Sequence, residues 1–119
     1  MISTWPALRD FAPGLNLPQV AIDYPFGNET LKAHGKTWCW WSPYADAAVI
    51  YADFDEREAL IAADSATFFI HPHYQKHRLL LLRAGHIAPD WIAARLTARW
   101  RALAPKRWLA EWEARETIL

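Results

Sequence analysis

Cysteine occurs once in the 119 residues, at Cys39, and glycine four times. A single thiol excludes an internal disulfide and fits a reducing compartment. The glycines, Gly14, Gly27, Gly35 and Gly85, are scattered. They form neither a phosphate-cradling loop nor a dinucleotide fingerprint, and there is no nucleophile elbow. Long apolar runs are also missing. "AAVIYA" and "LLLL" are far too short to span a bilayer. The start, "MISTWPALRDF", lacks the apolar stretch of a signal peptide. The expectation is a soluble cytoplasmic protein with no membrane partner.

Net charge is absent too, since thirteen basic groups meet thirteen acidic ones. No acidic or basic tail exists, but the distribution is uneven. Residues 1–71 hold four basic groups (Arg9, Lys32, Lys36, Arg57) against nine acidic, and residues 72–119 hold nine against four. A balance of −5 against +5 fits either an anionic partner on the second half or two solvated faces that attract each other.

Tryptophan is abundant, with eight in the chain. Large aromatics fill a small core with few residues, although limited interior leaves some partly exposed. With 53% hydrophobic and 22% charged residues, the chain can build a core and fits one domain.

The first helix is predicted to start at Thr4 as N-cap, with Pro6 in its first turn. Trp5, Leu8, Phe11 and Ala12 share one helical face, and Pro13-Gly14 ends the helix. Strands are predicted over Val20–Tyr24, Thr30–His34, Thr37–Trp41 and Ala47–Ala52, with "HGK" as a tight hairpin turn. "DFDEREALIAAD" reads as a helix whose Asp53 and Glu56 resemble a capping box. Leu60 and Ile61 form its inner face. "TFFI" and "RLLLLRA" read as two further strands. "APDWIAARLTARWRALA" is a helix with Pro89 at N1 and a buried stripe of Ile92, Leu96, Trp100 and Leu103. The tail adds a short helix with Trp108 and Trp112 stacked at i, i+4. The order α-β(3–4)-α-β(2)-α predicts a two-layer α+β fold, an antiparallel sheet covered on one side by helices. The other sheet face is then solvent-exposed or used.

Three separated segments, "DYPFGNETLKAHGKTWCWW", "TFFIHPHYQKHRLLLL" and "APDWIAARLTARWRALAPKR", resemble the MmcQ/YjbR family in the same order. Its members commonly show an aromatic–Gly turn before a "K…GGK" hairpin, a "TFF–PHY" strand, and a closing helix ending in "APKR" or similar. The resemblance covers roughly residues 5–107. It implies one YjbR-like domain over residues 1–107, with 108–119 as a helical C-terminal extension. It further implies a compact secretion-chaperone-like fold, a bacterial source and DNA binding through a double-wing surface. It supplies no catalytic residues.

Candidate chemistry gathers in "HPHYQKH". His71 and His73 point to one side if extended, and His77 could complete three nitrogen ligands for zinc. No Cys, Asp or Glu in the segment completes the shell, so neither metal nor cofactor is expected. Cys39 lies between Trp38 and Trp40, where burial makes a thiol inert. Asp53, Asp55, Glu56 and Glu58 fit a helix start better than an acid–base set. The expectation is therefore not an enzyme. For nucleic acid, His73, Tyr74, Lys76, His77 and Arg78 form one basic loop and Lys106 with Arg107 a second. Tyr74 is positioned to stack on an unpaired base. DNA is the partner this reading names, although the pI near 7 is low for a nucleic-acid domain. The alternative is a non-catalytic protein-interaction or small-ligand module with an exposed tryptophan-rich sheet face. Its candidates are Trp38, Trp40, Trp41, Trp108 and Trp112. By alternation Trp38 and Trp40 share a face and Trp41 faces away. The expected state is a monomer or a weak homodimer closed through the C-terminal tail.

Overall fold

The computed structural model describes residues 1–118, and the side chains of all of these except Phe26 and Ile118. Helix α1 (Trp5–Phe11) begins where the Thr4 hydroxyl accepts the Ala7 N–H at 3.2 Å. This satisfies one of the free amides of a helix start. Strands β1 (Val20–Asp23), β2 (Thr30–Ala33), β3 (Lys36–Trp41) and β4 (Ala47–Tyr51) follow, then α2 (Phe54–Ala63). After these come β5 (Phe68–Phe69), β6 (Leu79–Arg83), α3 (Pro89–Leu103) and α4 (Lys106–Ile118). The six strands form one antiparallel sheet in the order β1-β2-β3-β4-β6-β5. The fold is α+β.

His34 and Gly35 make the two-residue turn between β2 and β3, with φ of 54° and 76°. Two positive φ values match the right-handed strand twist, and glycine takes the second at no steric cost. The His34 ring is held from below, 5.0 Å from Trp100 and 4.8 Å from Trp108.

All four helices pack on one face of the sheet. Leu8 of α1 and Ile92, Leu96, Trp100 and Leu103 of α3 join Leu31, Ala33, Ala48, Ile50, Leu80 and Leu82 in the main core. Leu60 and Ile61 of α2 and Trp108, Leu109 and Trp112 of α4 pack at its margin. Burying each large apolar side chain contributes about 1.5–3 kcal/mol. The indoles of Trp38 and Trp100 enter this core because their N–H groups find carbonyls, Leu96 at 3.0 Å and Pro18 at 2.7 Å.

Strand β3 departs from simple alternation. Leu31 pairs with Cys39 and Lys32 with Thr37, so Trp38 is an extra residue in a bulge. Trp38 and Cys39 consequently both enter the helix-side core. Trp40 alone turns to the other face, where it packs with Val49 and Tyr74. The expectation that Trp38 and Trp40 share a face fails for this reason, and Trp41 packs on the same core as Trp38.

Two local expectations also change. The Asp53 side chain makes no cap hydrogen bond, because its Oδ1 accepts the Tyr51 hydroxyl at 2.5 Å instead. The "TFFI" strand shortens to two residues, since the chain turns at Pro72–Tyr74 as a 3-10 turn. Helix α4 begins at Lys106, where the tail segment "KRWLAEWEARETIL" starts, and docks on the main core.

Candidate functional site

The face opposite the helices is not bare. A second small core, Ala47, Val49, Leu81 and Tyr74, lies on it. Tyr74 comes from the segment between β5 and β6, which folds back over the sheet. Two groups fix that segment. His71 Nδ1 accepts the His73 N–H at 3.1 Å and caps the 3-10 turn. Arg57 reaches from α2, donating to the carbonyls of Gln75 (3.1 Å) and His77 (2.8 Å).

Arg57 is buried, although the charge count treats it as one basic group among four in residues 1–71. Its signal in the sequence is its position. It lies three and four residues before Leu60 and Ile61, on the apolar stripe of α2, where a charged residue needs a dedicated set of acceptors.

Beside Tyr74 the open face sinks into a depression of about 450 Å³. Strands β2 and β3 contribute Thr30, Thr37, Trp40 and Trp41, and the β3–β4 connection adds Pro43 and Tyr44. The folded-back segment adds His73 and Tyr74, and the β1–β2 connection Pro25 and Asn28. The aromatic groups brace one another. Tyr44 stacks on His71 with ring centres 5.6 Å apart and lies 4.2 Å from His73. His73 meets Tyr74 edge-on at 4.9 Å. The Tyr74 hydroxyl and Ser42 Oγ are hydrogen-bonded at 3.0 Å. Tyr44 remains 53% exposed, so its ring is available to a ligand. No Lys, Arg, Asp or Glu lines the depression among the described residues.

A second hollow of about 400 Å³ is lined by Tyr51, Phe54, Lys76, His77, Arg78 and Leu79. Strand register puts it at the same end of the sheet as Lys36, since Cys39 faces Ile50 and Tyr51 faces Leu79. Arg99 joins this end, its guanidinium 3.6 Å over the Tyr51 ring. The positive groups are partly countered. Arg78 Nε is 3.8 Å from Asp53, and Arg95 pairs with Glu56 in two contacts. The Arg95 hydrogen bonds hold the Glu56 carboxyl below its ordinary pKa. The Asp53 hydrogen bond raises that of the Tyr51 hydroxyl.

The residues singled out in the sequence thus separate. His73, Tyr74, Trp40 and Trp41 meet at the depression. Tyr74 is 5% exposed, which removes its ring from free stacking on a base. Lys76, His77 and Arg78 meet at the second hollow. Lys106 and Arg107 lie in the first turn of α4, where Arg107 Nε is 3.5 Å from Glu111. Trp38 is buried. Trp108 and Trp112 stack at 6.2 Å and both pack on Trp100, so their rings do not form a free patch. Among the described residues no group of three His, Cys, Asp or Glu is placed to hold a metal ion. Burial pushes the Cys39 thiol up to about 12. Sequence reasoning missed Thr30, Thr37 and Tyr44. Only "PFGN" and "SPY", loops rich in turn formers beside aromatics, hinted at the depression.

An open antiparallel sheet with helices on one face and an aromatic depression on the other defines a small α+β fold. The model of the YjbR family matches residues 15–102, and the chain belongs to that family. No curated protein and no solved structure gives a significant match. No helix among the described residues is long and apolar enough to cross a membrane.

Proposed function

We propose that this YjbR-family chain is a non-catalytic binding module that works through the aromatic depression on its open sheet face. The observation that carries the reading is the uncharged lining. Aromatic rings and the hydroxyl or amide groups of Asn28, Thr30 and Thr37 surround a volume suited to a small ligand. Such a surface holds an uncharged ring by stacking and by a few directed hydrogen bonds. The chain acts as a monomer in this reading, because Trp108 and Trp112 pack on Trp100. Amide spectra of the labelled protein, recorded with neutral aromatic fragments such as indole and benzamide, test it. Saturable shifts confined to Thr30, Thr37, Trp40 and Tyr44 are expected. An unchanged spectrum at millimolar fragment would end the reading.

DNA binding is the second reading. It draws support from Lys36, Lys76 and Arg78, which gather at one end of the sheet. The acidic start of α2 (Asp53, Asp55, Glu56) adjoins them and weakens that field. This reading expects duplex binding that falls steeply with salt and is lost in the Lys76→Glu/Arg78→Glu double variant. Anisotropy of labelled duplex DNA at low salt decides it.

A further inference from the structure

We propose that His34 is a proton-operated latch for α4: a proton taken up at its buried Nε2 releases the helix from the domain while the sheet stays folded. The inference is independent of what the depression binds. Its first support is the placement of the ring. His34 stands in the β2–β3 turn, 5.0 Å from Trp100 of α3 and 4.8 Å from Trp108 of α4. Its backbone is fixed, since its N–H donates to the Gln19 carbonyl at 2.8 Å. Nε2 is buried and has no partner among the described residues. A protonated imidazole donates from both nitrogens. Its Nε2–H would then meet no acceptor, and its charge no counter-ion.

The second support is how lightly α4 is held. None of its described side chains is fully buried, and Trp108, Leu109 and Trp112 pack at the margin of the core. By contrast, α3 buries Ile92, Leu96, Trp100 and Leu103. Residues 104 and 105 alone join the two helices, and Ala104 is extended, with φ −68° and ψ 138°. Elements held by few buried contacts open locally before the whole chain does. The ion pair between α3 and α4, Arg101 with Glu113, is solvent-exposed and contributes little. The remaining ties are ring contacts, Trp108 and Trp112 on Trp100, and Trp108 on His34.

The charges around the ring favour release. Burial, and then the Lys36 charge on β3, hold the His34 pKa below its ordinary value. On α3, Arg99 lies over the Tyr51 ring at 3.6 Å and Arg101 pairs with Glu113. On α4, Lys106 and Arg107 share the turn that carries Trp108, and Arg107 pairs with Glu111. The chain before β1 offers the Gln19 carbonyl, which already accepts the His34 N–H. No carboxylate pairs with the His34 ring among the described residues.

Docking of α4 and proton uptake at His34 therefore oppose each other. The docked chain takes the proton less readily than the released chain, whose ring lies in water. The effect is reciprocal: the factor by which docking weakens proton binding is the factor by which the proton weakens docking. Release grows as pH falls from about 6.5 towards the native pKa, and α4 stays down above that range. Release uncovers Trp100, which is fully buried in the docked chain, and frees Trp108 and Trp112. An indole patch concealed at neutral pH is thereby presented in acid, and such patches mark interaction sites.

Two measurements on the full labelled chain test the latch. In the first, the His34 imidazole is titrated by NMR. Its midpoint is expected below 6.5 in the wild type, and nearer to that value in Trp108→Ala, where the ring is uncovered. A wild-type midpoint at or above 6.5 would show that the indole faces hold the charged ring, and would overturn the inference. So would a midpoint that Trp108→Ala leaves unmoved. The second needs only the wild type and His34→Asn, so it stands even if Trp108→Ala does not fold. Amide protection factors in α4 and β4 are compared at about pH 7.5 and about pH 5.5. Helix α4 should be less protected than β4 at both, and its protection should fall about 3- to 10-fold on acidification. His34→Asn should remove that fall. Equal protection of α4 and β4 would mean that α4 leaves only when the whole chain unfolds, and would overturn the latch. Constant α4 protection in the wild type would overturn it as well. A fall as large in His34→Asn as in the wild type would assign the proton to another group, such as His86, with the same consequence.

Discussion

Arg57 on α2 donates from Nη1 to the carbonyl oxygen of His77 at 2.8 Å, and from Nη2 to that of Gln75 at 3.1 Å. One buried guanidinium thereby closes the backbone of the segment that lines both hollows. Phe54 covers it, 4.9 Å from ring centre to guanidinium carbon.

Arg57→Met keeps the aliphatic stem and removes the donors. The Gln75 carbonyl then loses the guanidinium and the His77 carbonyl keeps only the Leu79 N–H, and the expected cost is about 2–4 kcal/mol in urea unfolding. Lysine should not rescue, because a single ammonium lacks the planar fork. Amide exchange at residues 75–79 should quicken more than exchange in α3. A stability change under about 0.5 kcal/mol would show that the segment is held without Arg57.

His34 sets a pH dependence. Its Nε2 is buried without a partner, and burial, then the nearby Lys36 charge, lowers its pKa below the ordinary 6.5. The unfolded chain therefore binds a proton at a pH where the native chain does not. Stability from this group is full above about pH 6.5 and is lost as pH falls from there through the native pKa. Thermal unfolding across about pH 5–7.5 should show this slope in the wild type and lose it in His34→Asn. Asparagine tolerates the positive φ of this turn position. An identical slope in the variant would assign the effect to another group.

Much of the fold was legible because its signals are local. Thr4 caps α1, the "HGK" turn carries two positive φ values, and Ile92, Leu96, Trp100 and Leu103 are all buried on α3. The candidate site was far less legible. A bulge adds one residue to β3 without a glycine or proline to mark it, so period-two reasoning misplaced Trp38. Asp53 met a stronger local partner, Tyr51, than the helix amides. The depression itself joins Thr30, Trp40, Tyr44 and His73 from four separate stretches. No spacing in a single sequence encodes such a meeting, which depends on the segment after β5 folding back over the sheet.

Cys39 should be inert in the native protein. It is fully buried in the core, and its thiol is pushed up to about 12, so the thiolate is scarce at neutral pH. A thiol-reactive dye should label it only as fast as the chain unfolds, and completely in denaturant. Rapid native labelling would place a path to solvent beside Trp38.

Trp108 and Trp112 lie parallel within 8°, and both meet Trp100 edge-on. If α4 exists to close the core rather than to pair two chains, either alanine substitution should act on stability alone. Each is expected to cost about 2 kcal/mol, below the range for fully buried tryptophan because both are only half-buried. The double variant should cost less than the sum, since the first loss already loosens the stack. Sedimentation velocity should give the same monomer mass for wild type and variants. A concentration-dependent wild-type dimer that dissociates in Trp112→Ala would instead make α4 an interface. The free-energy change would then track protein concentration, which a purely intramolecular contact cannot do.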